Sequence, residues 1–229
     1  MTQHIGIVAC SAEGAALCYR TICSESAGLL GPHAHPEISM HTPSFADYVG
    51  CLDRDDWHGV GNLMLKSAQK LAAIGADFFI CPDNTIHKAL STVEARSPKP
   101  WLHIARVVAA EASARGYRRV GISGTRWLVD SEVYPEKLAE QNIEWLRPET
   151  DARDEIHRII MEELVNGQFR AGSIRYFQEV FATFRESGCD AVILGCTEIP
   201  IIMNDENSPL PTLDSTRLLA RAALNRAAR

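Results

Sequence analysis

Two stretches of this sequence occur twice, at nearly the same separation. Gly75-Ala76-Asp77-Phe78-Phe79-Ile80-Cys81-Pro82-Asp83-Asn84-Thr85 lies in register with Gly188-Cys189-Asp190-Ala191-Val192-Ile193-Leu194-Gly195-Cys196-Thr197-Glu198, an offset of 113 residues (188 − 75). Ile5-Gly6-Ile7-Val8-Ala9-Cys10 matches Val120-Gly121-Ile122-Ser123-Gly124-Thr125 at 115 (120 − 5). Each stretch is an apolar run that breaks into small polar residues, the pattern of a buried strand ending in a loop. Two matches at one offset, close to half of 229 residues, mark a duplicated unit.

The rest of the chain fits that frame. Apolar runs at Ile5–Cys10, Glu37–His41, Asp77–Cys81, Trp101–Ile104, Val120–Ser123, Ile143–Leu146 and Ala191–Gly195 read as strands. They alternate with amphipathic segments near Gly14–Ser26, Asp56–Ile74, Ile86–Ala95, Ala105–Arg115, Ser131–Gln141, Asp151–Asn166, Ser173–Ser187 and Ser215–Ala228. This alternation predicts an α/β fold of two pseudo-symmetric three-layer domains with mostly parallel sheets. Strands such as Ala191-Val192-Ile193-Leu194, apolar without interruption, suit burial on both faces. Pro98-Lys99-Pro100 is the expected crossover. The first domain is then 1–98 plus 210–229, and the second 99–209.

Composition removes several classes of function. Apolar residues make up 46% of the chain, so a sizeable core is available. The net charge is −6, from 23 basic and 29 acidic side chains, and the basic residues are scattered. Neither nucleic acid nor a membrane surface is an expected partner. No apolar run has the length of a bilayer span, and no basic region precedes Ile5, so a cytoplasmic location is expected. Seven cysteines in no CxxC spacing predict free thiols in a reducing compartment. His33-Ala34-His35 lies in a Gly-Pro loop with no acidic or cysteine partner at a ligand spacing, and no metal site is expected.

If the copies are related by a pseudo-twofold axis, equivalent strand ends face each other across a crevice, and ligands of open α/β sheets bind beyond strand carboxyl ends. Asp83 and Cys196 occupy equivalent positions, as do the loops at Cys10-Ser11 and Gly124-Thr125. Ser11, Asn84, Thr85, Ser123, Thr125 and Thr197 offer hydroxyls and amides suited to a small carboxylate. Cys10 is expected to line the pocket. Of the seven thiols, Cys196 has the chemical address, a strand-to-helix junction where the dipole and nearby donors favour the thiolate. A carboxyl opposite it, at Asp83, would tend to hold its proton, giving an acid and a base for proton transfer. His87 is expected to steady the first motif, and Glu198 to hold the Cys196 loop by hydrogen bonds.

On these residues the sequence resembles the aspartate/glutamate racemase superfamily. The motifs are Cys81-Pro82-Asp83-Asn84-Thr85-Ile86-His87 and Leu194-Gly195-Cys196-Thr197-Glu198-Ile199-Pro200. Arg119-Val120-Gly121-Ile122-Ser123-Gly124-Thr125 and Pro211-Thr212-Leu213-Asp214-Ser215-Thr216 support them. The resemblance implies two α/β domains with the active site in the crevice between them, no pyridoxal phosphate or other cofactor, no metal, and a homodimer. It also implies cysteine catalysis on a small amino acid or related carboxylate, with two cysteines flanking Cα. The second falls on Cys196; the first falls on Asp83, a departure. Asn84, Thr85 and Thr197 take the carboxylate-binding positions, and Arg170 is the one basic residue in the loop that reads a side-chain carboxylate. The alternatives are a single-cysteine decarboxylase, a cis/trans isomerase of a small dicarboxylate, or a carboxylate-binding member without turnover.

Overall fold

The computed structural model describes residues 2–229. The chain forms two compact units, one running to Ile104 and taking back Thr216–Arg229, the other Ala105–Ser215.

In the first unit, β1 (Ile5–Val8) leads into α1 (Ala12–Glu25), α2 (Ala27–Leu30) and β2 (Ile38–His41). Then come α3 (Phe45–Leu52), α4 (Trp57–Ala73), β3 (Phe78–Ile80), a 3-10 turn at Thr85–Ala89, α5 (Leu90–Glu94) and β4 (Trp101–Leu102). The four strands form a parallel sheet in the order β2-β1-β3-β4.

The second unit repeats this plan. From Ala105 on it contains α6 (Ile104–Ala114), then β5 (Arg119–Ser123), α7 (Arg126–Val129), α8 (Val133–Ala139), β6 (Glu144–Leu146) and α9 (Thr150–Arg158). After these come α10 (Ala171–Glu186), β7 (Ala191–Leu194), α11 (Ile199–Ile202), β8 (Thr212–Asp214) and α12 (Ser215–Ala227). Its sheet is parallel in the equivalent order, β6-β5-β7-β8. Beyond Ser215, α12 belongs to the first unit. There Arg221 pairs with Glu25 at 2.8 and 2.9 Å, and the Ala227 carbonyl accepts the Gln3 N–H.

The units divide later than the proline-flanked boundaries at 98 and 209, and strand pairing is the reason. Trp101 and Leu102 pair with Phe79 and Ile80, so the segment after Pro100 completes the first sheet. Thr212–Asp214, not anticipated as a strand, pairs with Val192–Leu194 and completes the second.

The duplication extends to hydrogen bonds. The Asp77 carboxylate accepts the His4 N–H at 2.8 Å, and the Asp190 carboxylate accepts the Arg119 N–H at 3.1 Å. In return the Asp77 N–H donates to the His4 carbonyl, and the Asp190 N–H to the Arg119 carbonyl. Each aspartate thus locks the start of its strand to the central one. Gly75 and Gly188 precede them at φ +99° and +81°, backbone that glycine adopts without steric cost. β1, β3 and β7 are buried along their whole length, as the uninterrupted apolar runs predict.

The long helix expected over 151–166 is α-helical only to Arg158. It continues as a π turn at Ile159–Glu163 and a 3-10 turn at Leu164–Asn166, ended by Gly167 at φ +70°. The wider turn accompanies an inward Glu163, only 3% exposed, whose carboxylate accepts hydrogen bonds from Ser173 Oγ at 2.5 Å and Arg158 at 3.0 Å.

Candidate functional site

In the first unit, the adjacent strands β1 and β3 deliver the residues singled out from sequence. Cys10 and Ser11 follow β1, and Ser11 caps α1 by accepting the Gly14 N–H at 3.4 Å. Asp83, Asn84 and Thr85 follow β3. Asn84 and Thr85 are buried, while Asp83 is half-buried. Asp83 Oδ1 accepts the Ile86 N–H at 3.3 Å, which fixes the carboxyl against the 3-10 turn.

His87 is occupied on both sides of its ring. Its Nδ1–H donates to the Asp83 carbonyl at 2.7 Å, an oxygen that can only accept, and its Nε2 accepts the Ile104 N–H at 3.3 Å. Burial lowers the ring to about 4, so it is neutral near pH 7. His87 therefore ties the Asp83 loop to the start of α6 and has no ring nitrogen available for proton transfer.

Burial also pushes the Cys81 thiol well up, with the Asp83 charge adding to it. Near these residues lies a tyrosine that the sequence did not single out. Tyr48, on α3, is fully buried, and its hydroxyl has no hydrogen-bond partner among the described residues. Desolvation first, then the neighbouring Cys81, Cys10 and Asp83, hold its proton on more firmly than in water.

In the second unit, β5 and β7 end side by side. The Gly195 N–H donates to the Ser123 carbonyl at 3.0 Å, and Ser123 Oγ donates to the Ile193 carbonyl at 2.7 Å. Thr125 caps α7, accepting the Leu128 N–H at 3.3 Å. Cys196 follows directly, 9% exposed. Its thiol donates to Glu198 Oε2 at 2.9 Å, and the same oxygen accepts Thr197 Oγ1–H at 2.7 Å. Glu198 is 3% exposed. Its carboxylate holds the Cys196–Thr197 loop by these two hydrogen bonds, as the sequence led one to expect.

The structure thus gathers Cys10, Ser11, Asp83, Asn84 and Thr85 at one pair of strand ends, and Thr125, Cys196, Thr197 and Glu198 at the equivalent pair of the other unit. Arg170 is tied to Glu163 at 3.4 Å and to Gln168 Oε1 at 2.6 Å. Among the described residues no group of three or more His, Cys, Asp or Glu is arranged to hold a metal ion. No helix among them is long and apolar enough to cross a membrane.

Two parallel four-stranded sheets of identical order define a duplicated α/β protein class. The family model for Asp/Glu/hydantoin racemases matches residues 5–223, and the chain belongs to that family. Among curated proteins it is similar to the broad-specificity amino-acid racemase RacX of Bacillus subtilis, 23% identical over 213 residues that cover 89% of this chain and 87% of the relative. Among solved structures, an aspartate racemase homologue from Pyrococcus horikoshii superposes with a TM-score of 0.84 at 25% identity, each chain covered completely. Glutamate racemase of Francisella tularensis, in complex with D-glutamate, shares the fold with a TM-score of 0.71 at 15% identity, covering 96% of this chain and 79% of that one.

Proposed function

We propose that the protein is a cofactor-independent racemase of a small acidic amino acid or a related carboxylate, with Cys196 and Asp83 exchanging the Cα proton. The observation that carries this reading is the Cys196–Glu198 hydrogen bond at 2.9 Å, a buried thiol with a carboxylate in line to take its proton. Family membership and the equivalence of positions 83 and 196 in the duplicated sequence support it.

In the proposed reaction Glu198 takes the thiol proton and Cys196 becomes the thiolate. The thiolate removes the Cα proton, and the C–H electron pair remains on Cα as a carboxylate-stabilised carbanion. Asp83, as the acid, returns a proton from the opposite face. Asn84, Thr85 and Thr197, with Ser11, Thr125 and Cys10 beside them, hold the α-carboxylate by hydrogen bonds, and the working unit is a homodimer. In the reverse direction the Asp83 carboxylate is the base and the Cys196 thiol the acid. The two are chemically unlike, so the forward and reverse kcat values differ.

The test is solvent-deuterium incorporation at Cα with both enantiomers of aspartate, glutamate and neutral amino acids. Cys196→Ala is expected to abolish exchange and Asp83→Ala to reduce it strongly. No exchange with any of these substrates by the wild-type protein overturns the reading. Carbon dioxide release from substituted malonates or loss of maleate absorbance would then mark a single-thiol decarboxylase or cis/trans isomerase, which the carboxyl in place of a first thiol favours.

A further inference from the structure

Three buried side-chain polar atoms lack a hydrogen-bond partner among the described residues: Tyr48 Oη, Arg147 Nε and Thr216 Oγ1. Arg147 keeps other bonds from its guanidinium, to the Ser131 carbonyl at 3.0 Å and to Glu132 at 2.9 Å. Tyr48 has a single polar atom, and it makes none.

A phenol can fill a core position as Phe does, so a buried hydroxyl without a partner is a standing penalty. Most buried tyrosines avoid it by reaching a carbonyl or a carboxylate. The groups that act on this hydroxyl are Cys81, Cys10, Asp83 and Cys51, none within hydrogen-bonding geometry. Three of these lie at the ends of β1 and β3, where the carboxylate-holding loops start. The hydroxyl keeps its proton at neutral pH, so what it lacks is an acceptor. An anionic carboxylate is the acceptor that forms the strongest bond with a neutral donor in a dry site.

We propose that Tyr48 is a substrate-binding residue whose hydroxyl donates a hydrogen bond to a carboxylate oxygen of the bound substrate, beside Asn84 and Thr85. This rests on the reading of the protein as a racemase of a small carboxylic substrate. It adds a donor on α3 to a site whose other members all follow strands. Binding then completes an unsatisfied group of the protein as well as of the ligand.

The test compares wild-type protein with Tyr48→Phe, which removes one oxygen and keeps the ring. Exchange kinetics are measured with L- and D-aspartate and L- and D-glutamate, and the melting temperature without amino acid. The expected result is a KM raised about ten- to a hundredfold with kcat changed far less. The ligand-free melting temperature is expected to stay level or rise, because the variant loses a hydroxyl that had no partner. An unchanged KM overturns the proposal while leaving the racemase reading intact. A ligand-free melting temperature several degrees lower also overturns it, since it reveals an internal partner for the hydroxyl. If the wild-type protein exchanges none of the four amino acids, the racemase reading fails and this inference falls with it.

Discussion

A thiol alone is a poor base near neutral pH, because most of it is protonated. Cys196 donates to Glu198 Oε2 at 2.9 Å, and in the proposed reaction that carboxylate takes the proton. Glu198→Gln preserves size and a hydrogen-bonding oxygen but removes the charge that accepts the proton. It is expected to lower kcat for exchange about 10²- to 10⁴-fold with little change in KM, read from the kinetics of solvent-deuterium incorporation. His87 makes a different prediction. Its folded pKa of about 4 lies below the ordinary 6.5, so the unfolded chain binds the extra proton first as pH falls. The contribution is whole above about pH 6.5, declines below it, and is gone under about pH 4. It amounts to about 3 kcal/mol on a scale of 1.36 per pKa unit. Urea midpoints measured across this range should fall steeply in the wild-type protein and less in His87→Asn. The position of Cys196 just past β7 was readable from sequence, because an apolar run that breaks into Gly-Cys-Thr marks a strand end. The aim of Glu198 at that thiol was not, because a side chain two residues away can point elsewhere until the surrounding core fixes it.

Where β5 and β7 end, the two backbones approach so closely that a Cβ on Gly195 would run into the Ser123 carbonyl oxygen and meet Leu128 Cδ2 at 2.6 Å. The equivalent position of the first copy is Pro82, so the two copies differ in residue at this point of close approach. Gly195→Ala is expected to cost about 1–3 kcal/mol, read as a lower urea midpoint, and to slow exchange by displacing Cys196. The central strands were plain in the sequence because burial on both faces demands unbroken apolar runs. α3 and β8 were not. α3 is eight residues long and contains Gly50, and it sits in a stretch with no second apolar turn to establish a period. β8 has only Thr212, Leu213 and Asp214, and pairing with β7 defines it, not an intrinsic preference. The absence of α3 from the sequence reading also hid Tyr48, since a residue placed in a loop gives no reason to expect a buried phenol.

The molecule is two copies of one plan, with the second inserted into the first. The repeat at an offset near 114 anticipated the copying. The exact seams escaped it, because they depend on which sheet a two- or three-residue strand joins. Shortening the chain to end at Ser215 removes the return segment with Arg221 and the Ala227 carbonyl that receives the Gln3 N–H. Hydrogen exchange is expected to show lost protection in β1 and α1, with β5 and β7 retained; equal loss in both sheets would argue against independent stability of the units. The same arrangement sets an order of events during synthesis. A growing chain exposes its amino-terminal strands first, yet their unit lacks α12 until the whole of Ala105–Ser215 has already been made. The middle of the gene can thus yield a finished fold while its beginning is still waiting, and a stalled ribosome would leave the Asp83 side, not the Cys196 side, without its completed core.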